Sequence, residues 1–415
     1  MIHKYFKSLV FASTFIGLGL NIQMQAQDKR EVEKIRKGYN LKKLEKLKES
    51  LHKKAFDEKQ KALSLAKKKG WKERYTTENG NLVELQKIVD GKPIYFITDN
   101  SAAAKSTRTN HLHSGGSLGL NLMGKNLTAH VWDGGIARSS HREFDGNGGR
   151  NRFSIGDGTN DIDSHAAHVT GTIIASGVTA SAKGMAPHAK AVGYDWNYDK
   201  SEATRAASNG MLISNHSYGY LANKIPDYYF GAYIRESRDW DEIMFNAPQY
   251  LMVVSAGNDG NNDRSNGTPL NGNSSFDKLS ATKTSKNNLV VANARDANID
   301  ASGNLISVSI NSGSSEGPTD DYRIKPDITG NGTGVYSTLH NNDSAYGSKS
   351  GTSMASPNVA GSLLLLQEHY KNTHGSFMRA ASLKGLALHT ADDAGISGPD
   401  AVFGWGLLNT KKQRR

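Results

Sequence analysis

The chain has 415 residues, a formal net charge of +11 and no cysteine. The lack of cysteine excludes disulfides, thiol catalysis and thiolate metal sites. Residues 27–100 hold 20 Lys and Arg against 12 Asp and Glu, so the N-terminal region is basic. Positive and negative residues are mixed there and aromatic residues are few, so this region does not indicate a nucleic-acid partner.

Residues 1–26 have the pattern of an export signal peptide. Lys4 and Lys7 precede a mostly apolar run from Leu9 to Leu20, and Ala26 is a small residue suited to cleavage. No later apolar run approaches the ~18 residues that a membrane span needs. We therefore expect a mature protein without a membrane span, exported to the periplasm or to the extracellular medium.

Residues 27–104 are predicted to be a pro-segment of charged helices followed by a β-hairpin. From residue 28 to about residue 70, Lys and Glu surround leucines at helical spacing. Two β-rich runs between Leu82 and Thr98 flank Asp90-Gly91, which indicates a hairpin. Ser101–Gly116 is small and polar and is predicted to be a linker. We expect the segment to assist folding and then to be removed; a permanent accessory domain is the alternative.

Residues 105–415 are predicted to form the main domain, because short apolar runs alternate there with helical stretches. Buried apolar strands separated by helices indicate an α/β fold with a mainly parallel central sheet covered on both faces. The predicted strands are Leu127–Trp132, Ala191–Tyr194, Met211–Ile213, Tyr250–Ser255 and Asn288–Ala292, and the predicted helices are His165–Ser176, Tyr229–Phe245 and Ser356–Tyr370.

The segment SGTSMASP, Ser350–Pro357, carries the candidate nucleophile, Ser353. It precedes an apolar helical run, with Pro357 expected in the first turn. The free N–H groups and the positive dipole end of a helix N-terminus stabilise negative charge that develops during acyl transfer. A serine in this position still needs a base.

Three further residues complete the constellation. His165, the candidate base, starts a helix in SHAAHVTG, and Asp133 ends an apolar strand before two glycines. Asn258 follows the strand LMVVS and supplies an uncharged donor suited to an oxyanion hole. The pair His165 and His168 also admits a zinc site, but no third ligand is indicated, so His168 is expected in the core.

The order Asp, His, Ser, with H-x-x-H-V-x-G-T, A-G-N and S-G-T-S-M-A-S-P-x-V-A-G, resembles the subtilisin-like (subtilase) serine peptidases from about Leu118 onward. The resemblance implies a three-layer fold in which Asp133 orients His165, the general base, and Ser353 is the nucleophile. It also implies an oxyanion hole made by Asn258 and the Ser353 N–H. The chain departs from the family at H-A-A-H, where H-G-T-H is usual. The implied cleft pairs with an extended peptide and is lined by Ser217, Tyr218, Gly219, Ala256 and Gly257.

These features predict a monomeric, secreted serine endopeptidase that acts on proteins or peptides through an acyl-enzyme and needs no cofactor for catalysis. Structural calcium could be bound by Asp145, Asp157 or Asp161. Asp259 would favour basic side chains in the substrate pocket. A catalytically inactive, peptide-binding relative is the alternative, and a lipase-like esterase with Ser117 of GGSLG as its nucleophile is a third hypothesis.

Overall fold

The computed structural model describes residues 29–76, 82–98, 104–145 and 151–412, so the predicted signal peptide lies outside the described residues. Within these ranges, no helix combines the length and the apolar composition that a membrane crossing requires. The helices are α1 (Lys29–Arg36), α2 (Leu41–Lys69), α3 (Arg142–Asp145), α4 (Ser164–Ile174), α5 (Asp199–Ser208), α6 (Arg235–Asn246), α7 (Thr352–His374) and α8 (Ala380–His389). The strands are β1 (Arg74–Thr76), β2 (Leu82–Val89), β3 (Lys92–Thr98), β4 (Thr128–Asp133), β5 (Phe153–Ile155), β6 (Lys190–Asp195), β7 (Ile213–His216), β8 (Tyr218–Tyr220), β9 (Leu251–Ser255), β10 (Leu289–Ala294), β11 (Asn298–Ile299), β12 (Leu305–Ser307), β13 (Ile328–Asn331), β14 (Val335–Thr338) and β15 (Tyr346–Lys349).

Seven strands form a central sheet in the order β13-β10-β9-β7-β4-β6-β5, and all neighbouring pairs are parallel. Both faces are covered, because successive side chains of a strand point to opposite faces. In β9, Leu251 and Val253 join the apolar core that contains α4, α7 and α8. Met252 and Val254 join the core that contains α5 and α6. The predicted three-layer α/β fold with a mainly parallel sheet is confirmed.

Several predicted elements differ in their bounds, among them β7 and α6. The strand predicted at Met211–Ile213 corresponds to β7, which continues through polar residues because these find partners inside the protein. Ser214 Oγ, for example, lies 2.7 Å from the Tyr250 hydroxyl. The helix α6 begins at Arg235, later than predicted, because Gly231 adopts a positive φ of 65° that interrupts helical geometry.

The predicted N-terminal helices and hairpin are present as α1, α2 and the pair β2–β3. Asp90 and Gly91 form the turn with φ values of 48° and 73°, the left-handed geometry of a tight hairpin. Leucines of α2 pack into the same core as α5 and α6. β3 pairs antiparallel with β8, which gives a four-stranded sheet in the order β1-β2-β3-β8. The boundaries at residues 27–104 and the removal of this segment stay predictions.

The linker predicted at Ser101–Gly116 is wrong for part of its described length. Ser106–Thr109 are buried, and the Arg108 guanidinium forms an ion pair with Asp392. Arg108 Nη1 also donates to the Ser106 carbonyl oxygen (2.7 Å). A charged group is retained in a protein interior when it is paired and hydrogen-bonded. Here the partner lies far along the chain, so local composition did not reveal the burial.

Candidate active site

Asp133 is the last residue of β4 and is fully buried at the carboxyl end of the parallel sheet. Its Oδ1 accepts hydrogen bonds from His165 Nδ1 (2.7 Å) and from the Gly134 amide (2.8 Å). Glycine is needed at position 135, because a Cβ on Gly135 would lie 2.5 Å from the Asp161 carbonyl oxygen. The strand end therefore presents one carboxylate to the imidazole ring.

His165 is the second residue of α4 and is only 3% exposed. Asp163 caps this helix, since its Oδ1 accepts from the amides of His165 (2.7 Å) and Ala166 (3.0 Å). Sequence reasoning missed Asp163, although an Asp directly before a helix start is a common capping signal. Both alanines of H-A-A-H are buried within α4, so the departure from H-G-T-H is compatible with a regular helix start.

The Asp133–His165 pair determines the protonation of the site. Burial lowers the pKa of His165, but the Asp133 and Asp163 carboxylates outweigh burial, so the pKa lies above its ordinary value of 6.5. Lys349 opposes this rise. Burial raises the pKa of Asp133, and the attraction of His165 offsets only part of the rise. Because Nδ1 donates to a carboxylate, the neutral ring carries its acceptor at Nε2.

Ser353 is the second residue of α7. Gly351 directly precedes α7. Its φ of 155° and ψ of 171° lie in a region of backbone conformation that essentially only glycine occupies. Ser353 Oγ donates to the Ser217 carbonyl oxygen (2.9 Å) rather than to the His165 ring. The single hydroxyl hydrogen therefore has to turn away from this carbonyl before Oγ can give it to Nε2.

Pro357 was predicted in the first turn of this helix and is instead its sixth residue, because α7 begins already at Thr352. Proline has no N–H, so it cannot bond the carbonyl four residues before it. That carbonyl belongs to Ser353, and it accepts from Ser217 Oγ (2.8 Å) instead. The missing N–H of Pro357 thus explains why α7 is hydrogen-bonded to Ser217, in the segment before β8.

The hairpin β14–β15 contacts α4 and leads along the chain into α7. His168 Nε2 lies within hydrogen-bonding distance of the carbonyl oxygens of Val335 (3.0 Å) and Gly347 (3.1 Å). Burial lowers the pKa of His168 to about 3, so the ring is neutral and donates its Nε2–H to these carbonyls, which excludes that nitrogen as a metal ligand. β15 ends at Lys349, four residues before Ser353. The hairpin therefore runs from the surface of α4 directly into the nucleophile segment.

Asn258 follows β9 and binds the start of α7. Its Oδ1 accepts from the Thr352 amide (2.9 Å) and from the Thr352 hydroxyl (3.0 Å). Because a backbone N–H can only donate, the side-chain oxygen must face Thr352, and the NH₂ group faces the other way. The Ser353 amide lies in the first turn of α7, where N–H groups have no acceptor within the helix. Both kinds of donor suit an oxyanion.

Two backbone segments, which we call the pocket walls, lead away from Ser353. The first wall is Ser217–Gly219, which enters β8 and bonds Ser353 as described above. The second wall is Ala256–Gly257, whose Gly257 amide donates to Thr352 Oγ1 (3.1 Å). The structure thus brings the predicted substrate-binding residues to the start of α7 as two stretches of backbone.

The side chains near these walls were less predictable. The Tyr218 side chain is held by α5, because its hydroxyl donates to the buried Asp199 carboxylate (2.8 Å). Lys283, which sequence reasoning missed, reaches the first wall and donates from Nζ to the Tyr218 carbonyl oxygen (3.4 Å). No local motif marks Lys283, since it belongs to a turn distant in sequence from the catalytic motifs.

Carboxylates near the site have protein partners. Asp133, Asp163 and His165 present ligand atoms within 4.8 Å of one another, but the hydrogen bond and the helix cap described above already account for this cluster. Of the calcium candidates, Asp157 accepts from the Asp195 amide (2.7 Å), and Asp161 is ion-paired with Arg74. The Asp145 side chain lies outside the described residues. Calcium binding stays a prediction.

Ser117, the nucleophile of the esterase hypothesis, lies in an exposed loop. Its Oγ is 2.7 Å from His111 Nδ1. Residues 112–127 around it contain neither helix nor strand in the described structure, whereas the serine of an esterase elbow lies between a strand and a helix. The surroundings of Ser117 therefore do not favour that hypothesis.

A family model described as the subtilase family matches residues 124–406. The extracellular serine protease of Serratia marcescens is 39% identical over 66 residues, 16% of this chain and 6% of that protein. The PII-type proteinase of Lactococcus lactis subsp. cremoris is 45% identical over 75 residues, 18% of this chain and 4% of that protein. The chain therefore matches less than a tenth of the length of these relatives.

The solved structures include a similar fold. Fervidolysin from Fervidobacterium pennivorans, a keratinolytic enzyme related to subtilisin, matches with a TM-score of 0.51 at 20% sequence identity. The match covers 72% of this chain and 44% of that chain. At this identity the likeness concerns the fold alone, and it agrees with the three-layer architecture.

Proposed function

This chain belongs to the subtilase family, and we propose that it is an exported serine endopeptidase with Ser353 as its nucleophile. The observation that carries the proposal is the buried 2.7 Å hydrogen bond between His165 and Asp133, next to the hairpin that leads to Ser353. A carboxylate that fixes the tautomer of an imidazole near a helix-start serine is the arrangement that acyl transfer requires.

The reaction begins when the Ser353 hydroxyl hydrogen turns from the Ser217 carbonyl toward His165. Nε2 of His165 accepts the hydroxyl proton as Oγ attacks the scissile carbonyl carbon, and Asp133 stabilises the imidazolium. The Asn258 side-chain N–H and the Ser353 amide donate to the oxyanion. His165 then protonates the leaving amine, which leaves an ester on Ser353. A water molecule, deprotonated by the same nitrogen, hydrolyses the ester and restores the hydroxyl.

A peptide substrate would add as a strand along β8, which shares Tyr218 and Gly219 with the first pocket wall. In the full-length chain β3 is paired with this strand, with Phe96 opposite Tyr220. Since one strand edge cannot pair with two partners, the N-terminal segment has to leave β8 before a protein substrate binds. This competition supports the proposal that residues 27–104 are a pro-segment that is removed.

Export is supported by the sequence of residues 1–26 and by the extracellular serine protease of Serratia marcescens among the relatives. N-terminal sequencing of the mature protein, from the medium and from the periplasm, tests this part of the proposal. A mature N-terminus near residue 105 is expected. A stable product that still begins near residue 27 would favour a permanent accessory domain.

A fluorophosphonate probe tests the nucleophile. Labelling of the matured protein that is lost in Ser353→Ala and kept in Ser117→Ala is expected. Labelling that is lost in Ser117→Ala and kept in Ser353→Ala would assign the esterase instead. A folded protein that is neither labelled nor able to cleave peptides would be the inactive relative.

A further inference from the structure

The side chain of Lys283 ends between the two pocket walls. Lys283 belongs to a short 3₁₀ turn, Ala281–Thr284, and is only 4% exposed. Its Nζ donates to the Tyr218 carbonyl oxygen (3.4 Å) and occupies the space where a side chain on Gly219 would begin. On the other side, a Cβ on Gly257 would lie 3.5 Å from the Lys283 Cε. Glycine backbone therefore flanks the end of this side chain on both sides.

Both walls are hydrogen-bonded to the start of α7, so they come together at Ser353. On one wall, the Ser217 carbonyl accepts from Ser353 Oγ (2.9 Å). On the other, the Gly257 amide binds the residue before Ser353. A peptide whose carbonyl carbon meets Ser353 and whose carbonyl oxygen meets Asn258 would direct the side chain of that same residue toward the two walls, since both walls bond the start of α7. There it meets the ammonium group of Lys283.

The charge of Lys283 determines which side chain is stabilised there. A buried ammonium favours a carboxylate, because a charge removed from water is stabilised by an opposite charge or by hydrogen bonds. Asp259, which the sequence suggested as the selective group, has its amide bonded to Ser315 Oγ (2.9 Å) and its carboxylate to Asn262 (3.3 Å). Burial raises the pKa of Asp259, and Lys283 offsets part of that rise. Of these two charged side chains, Lys283 is the one that contacts the first pocket wall.

We infer that Lys283 selects substrates in which the residue before the scissile bond is aspartate or glutamate, an inference that rests on the proposed function. A carboxylate entering between the walls forms a charge-assisted hydrogen bond with Nζ. A glutamine of the same shape can offer only a neutral acceptor, and a lysine or arginine is repelled. Gly219 and Gly257 contribute no side chain of their own, so Lys283 supplies side-chain atoms that lie against both of them.

The test uses the matured enzyme, produced from the 415-residue chain. Its active sites are counted by fluorophosphonate labelling. Four peptides differ only in the residue before the scissile bond, which is Glu, Gln, Leu or Lys. We expect kcat/KM for Glu to exceed that for Gln by about tenfold or more, the difference between a charge-assisted and a neutral hydrogen bond. Lys283→Gln should bring this ratio close to 1, and Lys283→Arg should keep it. The matched control, Lys286→Gln at an exposed lysine three residues further on, should leave it unchanged.

The outcomes separate this inference from the proposed function. A labelled enzyme that cleaves the Glu and Gln peptides equally well, or that prefers Leu or Lys, overturns the inference and leaves the proposed function standing. An unchanged ratio in Lys283→Gln overturns it as well. A folded, matured chain that the probe does not label overturns the proposed function and the inference together. The wild-type comparison needs no variant, so it decides the question even where Lys283→Gln fails to fold.

Discussion

Ser217 and Ser353 are joined by two hydrogen bonds of opposite direction. Ser353 Oγ donates to the Ser217 carbonyl oxygen (2.9 Å), and Ser217 Oγ donates to the Ser353 carbonyl oxygen (2.8 Å). The second bond is available because Pro357 has no N–H to offer that carbonyl. The first pocket wall and the nucleophile helix are therefore held together at the residue that is proposed to react.

The change Ser217→Ala is expected to lower the free energy of unfolding by about 1–3 kcal/mol, because it leaves the buried Ser353 carbonyl without its donor. It also removes the acceptor of Asn215 Nδ2 (2.8 Å). Urea unfolding in a Ser353→Ala background measures the effect without self-digestion and keeps the carbonyl in place. The control Ser302→Ala, at an exposed serine, should stay within about 0.5 kcal/mol. An equally small effect of Ser217→Ala would contradict the role of this bond.

The pH dependence of kcat/KM should show an acidic limb above pH 6.5, because the pKa of His165 is raised above that ordinary value. Only the neutral ring can accept the Ser353 proton, so activity is lost as the pH falls through the raised pKa. Lys349 holds the pKa of His165 down, and Lys349→Gln should therefore move the limb to higher pH. The exposed Lys224, changed to Gln as a control, should not move it. A limb that moves to lower pH in Lys349→Gln would refute this assignment.

The change Asn258→Asp separates the two functions of this side chain. A carboxylate can still accept from the Thr352 amide and hydroxyl, so the start of α7 should keep its hydrogen bonds. The N–H donors are lost, and a negative charge opposes the oxyanion. We expect kcat to fall by about a hundredfold or more, a range known for an oxyanion donor of subtilisin itself. The measurements are kcat and the urea midpoint; a variant within tenfold of wild-type kcat would argue against an oxyanion role.

Lys87 joins the N-terminal segment to the main domain. Its Nζ lies 2.8 Å from Glu236 Oε2, and the two side chains are 17% and 7% exposed. Removing one partner of a buried ion pair is strongly destabilising, although Glu236 here keeps Lys200 as a second partner (3.1 Å). In the inactive Ser353→Ala chain, Lys87→Met should therefore let an added protease remove the segment about tenfold faster. Lys92→Met, at an exposed lysine of the same hairpin, is the control, and equal rates for both variants would refute the prediction.

The fold and the main site residues were predictable where a few neighbouring residues determine the structure. β9 begins with the continuous apolar run Leu251–Val254 because both of its faces are buried, and this pattern is visible in four successive residues. Ser353 was placed at a helix start because glycine before it and an apolar run after it leave few alternatives. The start of α7 was nevertheless expected too late, because proline was assumed to mark the first turn.

The sequence by itself determined the elements of secondary structure, the residue types of the site and their order along the chain, since short-range patterns encode these. Only the tertiary structure decided that Arg108 is buried against Asp392 and that Ser217 donates a hydrogen bond to the Ser353 carbonyl. The position of Lys283 between the two pocket walls was likewise decided by the tertiary structure. Each of these contacts joins segments that are far apart in sequence. Their free energy comes from burial, from hydrogen bonds and from paired charges, which depend on the packed neighbours rather than on adjacent residues.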